Sequence, residues 1–163
     1  MKFGIGQPVT RKEDPKFLKG QGNYVSDISL DKMLHGFVLR SPHANARILS
    51  IDTTSAREAC GVVLVLTGDD YEASGLGLIE CSSMTAMLMG GSKGVQKPYG
   101  ALVKDVVKCV GVPVAFIIAE SIENAKDAAE LIEIDYEMLP ALTSTKQART
   151  GDAPMVWEDT NDN

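Results

Sequence analysis

The chain has 163 residues, 44% of them hydrophobic, and a formal net charge of -6. That length fits one domain, or one domain with a trailing arm, and buries enough surface to fold without disulfides or a structural metal. The acidic balance excludes a nucleic-acid partner, which needs a clustered basic face. The basic residues near the N-terminus (Arg11, Lys12, Lys16, Lys19) are interleaved with Glu13 and Asp14 and read as a solvated face. Cys60, Cys81 and Cys109 are odd in number and widely spaced, so they build neither a disulfide framework nor a CxxC metal pair. Reduced thiols and the lack of an apolar stretch long enough for a signal peptide or a membrane span predict a soluble, cytoplasmic protein with no membrane partner.

In chain order, residues 1–31 are punctuated by Gly4, Gly6, Pro8, Pro15, Gly20 and Gly22 and read as an extended N-terminal arm. A first strand is expected over about Met33 to Arg40. The turn Ser41-Pro42-His43 follows, since a residue before proline is pushed out of the α region. A second strand runs from Ala46 to Asp52. Thr53-Thr54-Ser55 offers N-caps for a short helix ending at Gly61. The apolar run Val62–Leu66 predicts a strand covered on both faces, and Gly68, Asp69 and Asp70 close a turn. From Ser74 to Gly100 periodicity disappears into a long irregular loop. Val112–Ala119 is a second apolar strand. Ser121 caps a helix whose Ile122, Ala125, Ala128, Ala129 and Ile132 share one stripe. Ile132, Ile134 and Tyr136 then alternate with Glu133, Asp135 and Glu137 in a half-buried strand that Pro140 ends. Residues 32–140 thus form the folded domain, of α+β class with strands in mixed sheets and two helices. Residues 141–163 are a polar tail or linker anchored by Trp157.

Candidate chemistry is sparse. His35 and His43 are isolated from any second ligand at metal-binding spacing. Gly4-Ile5-Gly6 and Gly20-Gln21-Gly22 lack the strand before and helix after that a phosphate loop requires. Met84, Met87 and Met89, near Cys81, form a soft-ligand group able in principle to hold Cu(I), but methionines equally fill irregular contacts. Glu133, Asp135 and Glu137 are explained by the solvated face of a strand. No catalytic, cofactor-binding or metal-binding residue is assigned.

Four segments, in order, carry a resemblance: Ile5–Asp14 with Gly20–Asp27; Leu34–Ile48, including Arg40-Ser41-Pro42-His43-Ala44; Gly61–Asp70; and Val110–Ala115, running on to Ala128–Pro140. Together the set resembles the N-terminal α/β hammerhead domain of the molybdenum hydroxylases, the family of xanthine dehydrogenase, aldehyde oxidase and the large subunit of aerobic carbon monoxide dehydrogenase. Cys60 stands where the family usually has proline, Cys109 where tyrosine is common, and Val112 where an acidic residue is usual.

The resemblance implies a non-catalytic structural domain of a molybdopterin-binding large subunit, of aldehyde, purine or carbon monoxide type. Its partners would be molybdopterin-binding domains, C-terminal or on another chain, together with iron–sulfur and flavin subunits. The molybdenum cofactor, iron–sulfur clusters and FAD are expected only there. The alternative is a free-standing interaction module with the same fold. Two turns are the candidate inter-domain contacts, Arg40-Ser41-Pro42-His43 and the one carrying Gly111 and Pro113, because each sets a rigid proline beside small residues at a strand end.

Overall fold

The computed structural model describes residue 6, residues 8–80 and residues 97–159. The chain divides into two compact units, Met1–Met33 and Leu34–Asn163.

The first unit is not extended throughout. It holds a five-residue helix, α1 (Asp14–Leu18), with Pro15 in its first turn, where a missing N–H costs nothing. Asp14 Oδ2 accepts from the Arg11 amide at 3.0 Å. A 3₁₀ turn at Val25–Asp27 is closed by Asp27, whose carboxylate accepts from the Tyr24 amide at 2.9 Å. The Phe17 and Tyr24 rings stack with centroids 5.8 Å apart.

The second unit begins with β1 (His35–Arg40), β2 (Ala46–Asp52), α2 (Thr54–Glu58) and β3 (Val62–Thr67). It continues with α3 (Gly68–Ala73), β4 (Val106–Val107), β5 (Pro113–Ala119), α4 (Ile122–Glu130), β6 (Glu133–Met138) and α5 (Thr145–Ala148). The strands form two three-stranded sheets, ordered β1-β5-β3 and β4-β2-β6, in which every pair is antiparallel. The α+β class therefore holds, but the sheets are antiparallel among the described residues, not mixed as expected.

β5 is the centre of the first sheet because its residues, PVAFIIA, leave no polar side to expose. Pro113 sits at its first position, where the missing donor is tolerated. α4 packs on this sheet through Ala125, Ala128 and Ala129, whose small side chains let the helix approach closely. Its N-cap is Ser121, whose Oγ accepts from the Asn124 amide at 3.0 Å. Ile117 and Val65 are fully buried at the centre of this core, and burying a side chain of that size stabilises by about 1.5–3 kcal/mol. A smaller cluster of Ala46, Val107 and Val114 lies between the sheets, and Leu39 and Ile134 touch both clusters.

Several local expectations change. The first strand starts at His35, two residues later than the pattern predicts. The helix after Asp52 ends at Glu58, with Ala59 already extended. Gly61, at φ +73, turns the chain into β3 and sits so close to Asn124 that a Cβ there would lie 2.1 Å from its Nδ2. β3 is covered on one face only: Val63 is 55% and Leu64 40% exposed. Gly68-Asp69-Asp70 opens α3 instead of closing a turn, because the Thr67 amide and hydroxyl both donate to Asp70 Oδ2, at 2.8 and 3.0 Å. Within the stretch read as irregular, Ile79 and Tyr99 form an isolated antiparallel bridge. Cys81 and the Met84, Met87 and Met89 group lie outside the described residues.

Candidate functional site

The two turns singled out from the sequence meet. β1 ends at Arg40, opposite Pro113 at the start of β5, with a register shift between Leu39 and Arg40. Past that shift the pairing continues as two reciprocal backbone bonds. The Ser41 amide donates to the Val112 carbonyl at 2.9 Å, and the Gly111 amide donates to the Ser41 carbonyl at 2.9 Å. The Arg40 guanidinium reaches across and donates to the Gly111 carbonyl at 2.7 Å. Gly111 adopts φ +88, a left-handed conformation that glycine enters without strain.

Ser41 is buried, at 1% exposure, and its Oγ accepts from the His43 amide at 3.2 Å, closing the turn over exposed Pro42. The His43 ring meets Tyr136 of β6 edge to face, with centroids 4.6 Å apart. Asn45 continues the tie to β6. Its Nδ2 donates to the Pro140 carbonyl at 2.7 Å, and its own carbonyl accepts from the Leu139 amide at 3.0 Å. Asn45 Oδ1 is buried and has no hydrogen-bond partner among the described residues. Arg40, Ser41, Pro42, His43, Gly111 and Pro113 thus form one rigid corner at the end of β1 and β5, pinned to the end of β6.

Beside the corner, Asn45, Lys108, Cys109, Val110 and Leu142 help line a cleft of about 170 Å³. A second cleft of about 240 Å³ lies between β2 and the start of α3, where Lys104 reaches Glu72 at 2.7 Å and Asp69 at 3.0 Å. The Glu72 carboxylate, with Asp69 beside it, raises the Lys104 pKa and keeps its ammonium charged. That is a surface ion-pair network. Among the described residues no group of three or more His, Cys, Asp or Glu side chains could hold a metal ion. His35 stands on β1 opposite Ala119, apart from His43 on the turn. Glu133, Asp135 and Glu137 line the exposed side of β6, where Glu137 pairs with Arg47 at 3.2 Å. The arrangement can position and hold.

Sequence reasoning missed the partners of the tail. The Trp157 ring lies under two ammonium groups, Lys97 at 5.5 Å and Lys108 at 5.3 Å, a geometry that suits cation–π attraction. Lys108 also donates to the Val156 carbonyl at 2.6 Å, and Lys97 pairs with Asp159, whose carboxyl it holds below the usual range. The available signal was a lone tryptophan in a polar tail, which points to an anchor but not to what receives it.

Residues 19–140 match the family model described as "Aldehyde oxidase and xanthine dehydrogenase, a/b hammerhead domain". The chain is 40% identical over 159 residues to the carbon monoxide dehydrogenase large chain of Afipia carboxidovorans, covering 98% of this chain and 18% of that one. It is 38% identical over 148 residues to the nicotine 6-hydroxylase large subunit of Paenarthrobacter nicotinovorans, covering 90% of this chain and 17% of the relative. Among solved structures it superposes on a Cu,Mo-CO dehydrogenase with a TM-score of 0.77 at 38% identity, over 98% of this chain and 18% of that one. The chain therefore spans less than a fifth of the length of these relatives. With that model matching most of its residues, the chain belongs to the α/β hammerhead domain family of aldehyde oxidase and xanthine dehydrogenase.

Proposed function

We propose that this chain acts as the hammerhead scaffold of a molybdenum hydroxylase large subunit and carries no catalytic step alone. The observation that carries this reading is the pairing of near-complete cover of this chain with 18% cover of a carbon monoxide dehydrogenase large chain. The two clefts described above, about 240 and 170 Å³, are smaller than the roughly 300–1,000 Å³ usual for ligand sites, and among the described residues no group of three or more His, Cys, Asp or Glu side chains could hold a metal ion, which supports placing the molybdenum cofactor outside this segment.

In this reading the molybdenum centre, and the residues that act on an aldehyde, a purine or carbon monoxide, belong to molybdopterin-binding domains beyond this segment or on another chain. Iron–sulfur and flavin subunits complete the assembly. Residues 32–140 are the folding unit and 141–163 the linker toward those domains. The corner of Arg40, Ser41, Pro42, His43, Gly111 and Pro113 is the proposed inter-domain contact, since it is rigid and presents Pro42 outward. No helix among the described residues is long and apolar enough to cross a membrane, and exposed free thiols at Cys60 and Cys109 favour a reducing cytoplasm.

The direct test is to purify the 163-residue chain from molybdenum-supplemented cells and measure bound molybdenum and hydroxylase turnover. Neither is expected. Stoichiometric molybdenum with turnover would assign the chemistry to this segment and end the scaffold reading.

A further inference from the structure

Strand register sorts the first sheet into two faces. Facing α4 are Phe37, Leu39, Val65, Ala115, Ile117 and Ala119, the buried core. The other face is set by two cross-strand rows. Gly36 pairs with Ile118, and Ile118 with Leu64; Val38 pairs with Phe116, and Phe116 with Leu66. All six are apolar. Leu34, 47% exposed and two residues before Gly36, extends the same face by alternation. The Phe116 ring lies over Gly36, where a Cβ would come within 2.6 Å of its Cζ, so the face is flattened at its centre.

An antiparallel sheet with one solvated face normally alternates apolar with polar residues, and β3 and β5 do not. Their sequences are those of strands covered on both sides: α2 and α4 pack on the inner face, and on the other Val114 at the start of β5 is buried against Ala46 and Val107 of the second sheet, yet farther along that face Leu64 remains 40% exposed. The strand spacings give this face an area on the order of 200 Å². A stable dimer needs roughly 800 Å² from each partner, so a second copy of the chain is a poor occupant. An area this small suits a contact within one polypeptide, where the tether supplies a high effective concentration. The relatives contain such a polypeptide, because this segment covers only 18% of the carbon monoxide dehydrogenase large chain.

We propose that the outer face of β1-β5-β3, centred on Val38, Leu64, Phe116 and Ile118, docks against an apolar surface of the large-subunit polypeptide outside this segment. The inference rests on the scaffold reading above and adds which surface is used.

The test places this chain in the Afipia carboxidovorans large chain in exchange for its matched segment. Leu64→Cys is introduced both there and in the 163-residue chain, and alkylation at that position is followed by peptide mass spectrometry. Labelling is expected to be slower by at least about tenfold in the long chain, as for a site reached only by local opening. Leu64→Lys should lower the melting temperature of the long chain while leaving that of the 163-residue chain nearly unchanged. Equal labelling in a folded long chain overturns the docking face and leaves the scaffold reading standing. A long chain that fails to fold with the unsubstituted segment overturns the scaffold reading itself. Sedimentation of the 163-residue chain as a dimer that Leu64→Lys splits assigns the face to a second copy and overturns the proposal.

Discussion

Two glycines of the second unit show how different causes fix the same residue type. Gly68 opens α3, and a Cβ there would lie 2.6 Å from the Lys104 Cα and from the Val103–Lys104 peptide atoms that precede it. Backbone cannot give way as a side chain can, so Gly68→Ala should cost about 1–3 kcal/mol in chemical denaturation, the range for overpacking. Gly111 has open space around it but φ +88. Gly111→Ala should cost about 1–2 kcal/mol through backbone strain alone. Unchanged midpoints for either variant would contradict the corresponding contact or conformation.

Asp52 supplies a pH-dependent effect at the same scale. Its Oδ1 accepts from the Thr54 amide at 2.9 Å, and the Thr54 side chain and amide together hold its pKa below the usual carboxylate value. A lowered folded-state pKa means this stabilisation is present above the unfolded value of about 3.9 and is lost as pH falls from there through the lower folded-state pKa. Asp52→Asn should therefore flatten the acid limb of the stability–pH curve and leave its shape above pH 6 unchanged, as read by thermal melts across pH 2.5–7.

Among the elements, the ones written by periodicity were legible and the ones written by local hydrogen bonds were not. β2 spans the residues expected, and β6 begins where period three to four gives way to period two. α4 was legible from its alanine stripe and from Ser121. Ser121→Ala removes the oxygen that satisfies the Asn124 amide and should cost about 1 kcal/mol, measured by urea denaturation with an unchanged m value. A neutral result would mean that water serves that amide equally well. α3 was misread because Gly-Asp-Asp carries strong turn propensity, while the deciding bonds run from Thr67 to Asp70 three residues on. β4 is two residues long and holds its place by pairing with Ala46 and Arg47 and by burying Val107 against Ala46 and Val114, tertiary causes with no local pattern. The one-sided cover of β3 was missed for the same reason: an apolar run states that both faces want cover, not which molecule supplies it.

At the scale of the whole molecule, the sequence pattern named the corner residues but not their joining. Arg40–His43 and Gly111–Pro113 are some seventy residues apart, and only the β1–β5 register brings them together. The tail shows the converse case. Trp157 was legible as an anchor, whereas Lys97 and Lys108 as its receivers depend on tertiary placement. What results is a frame: two small sheets, one helix-covered core, a corner tied by backbone hydrogen bonds and an apolar outer face.

The measurement that bears most directly on this account is carbon monoxide oxidation by the Afipia carboxidovorans enzyme after this chain replaces the matched segment of its large chain. A scaffold 40% identical to the part it replaces should support assembly and retain turnover within about tenfold of the parent, a rise of no more than about 1.4 kcal/mol in barrier height. A folded, molybdenum-loaded assembly without measurable turnover would contradict the claim that this segment frames the chemistry without taking part in it.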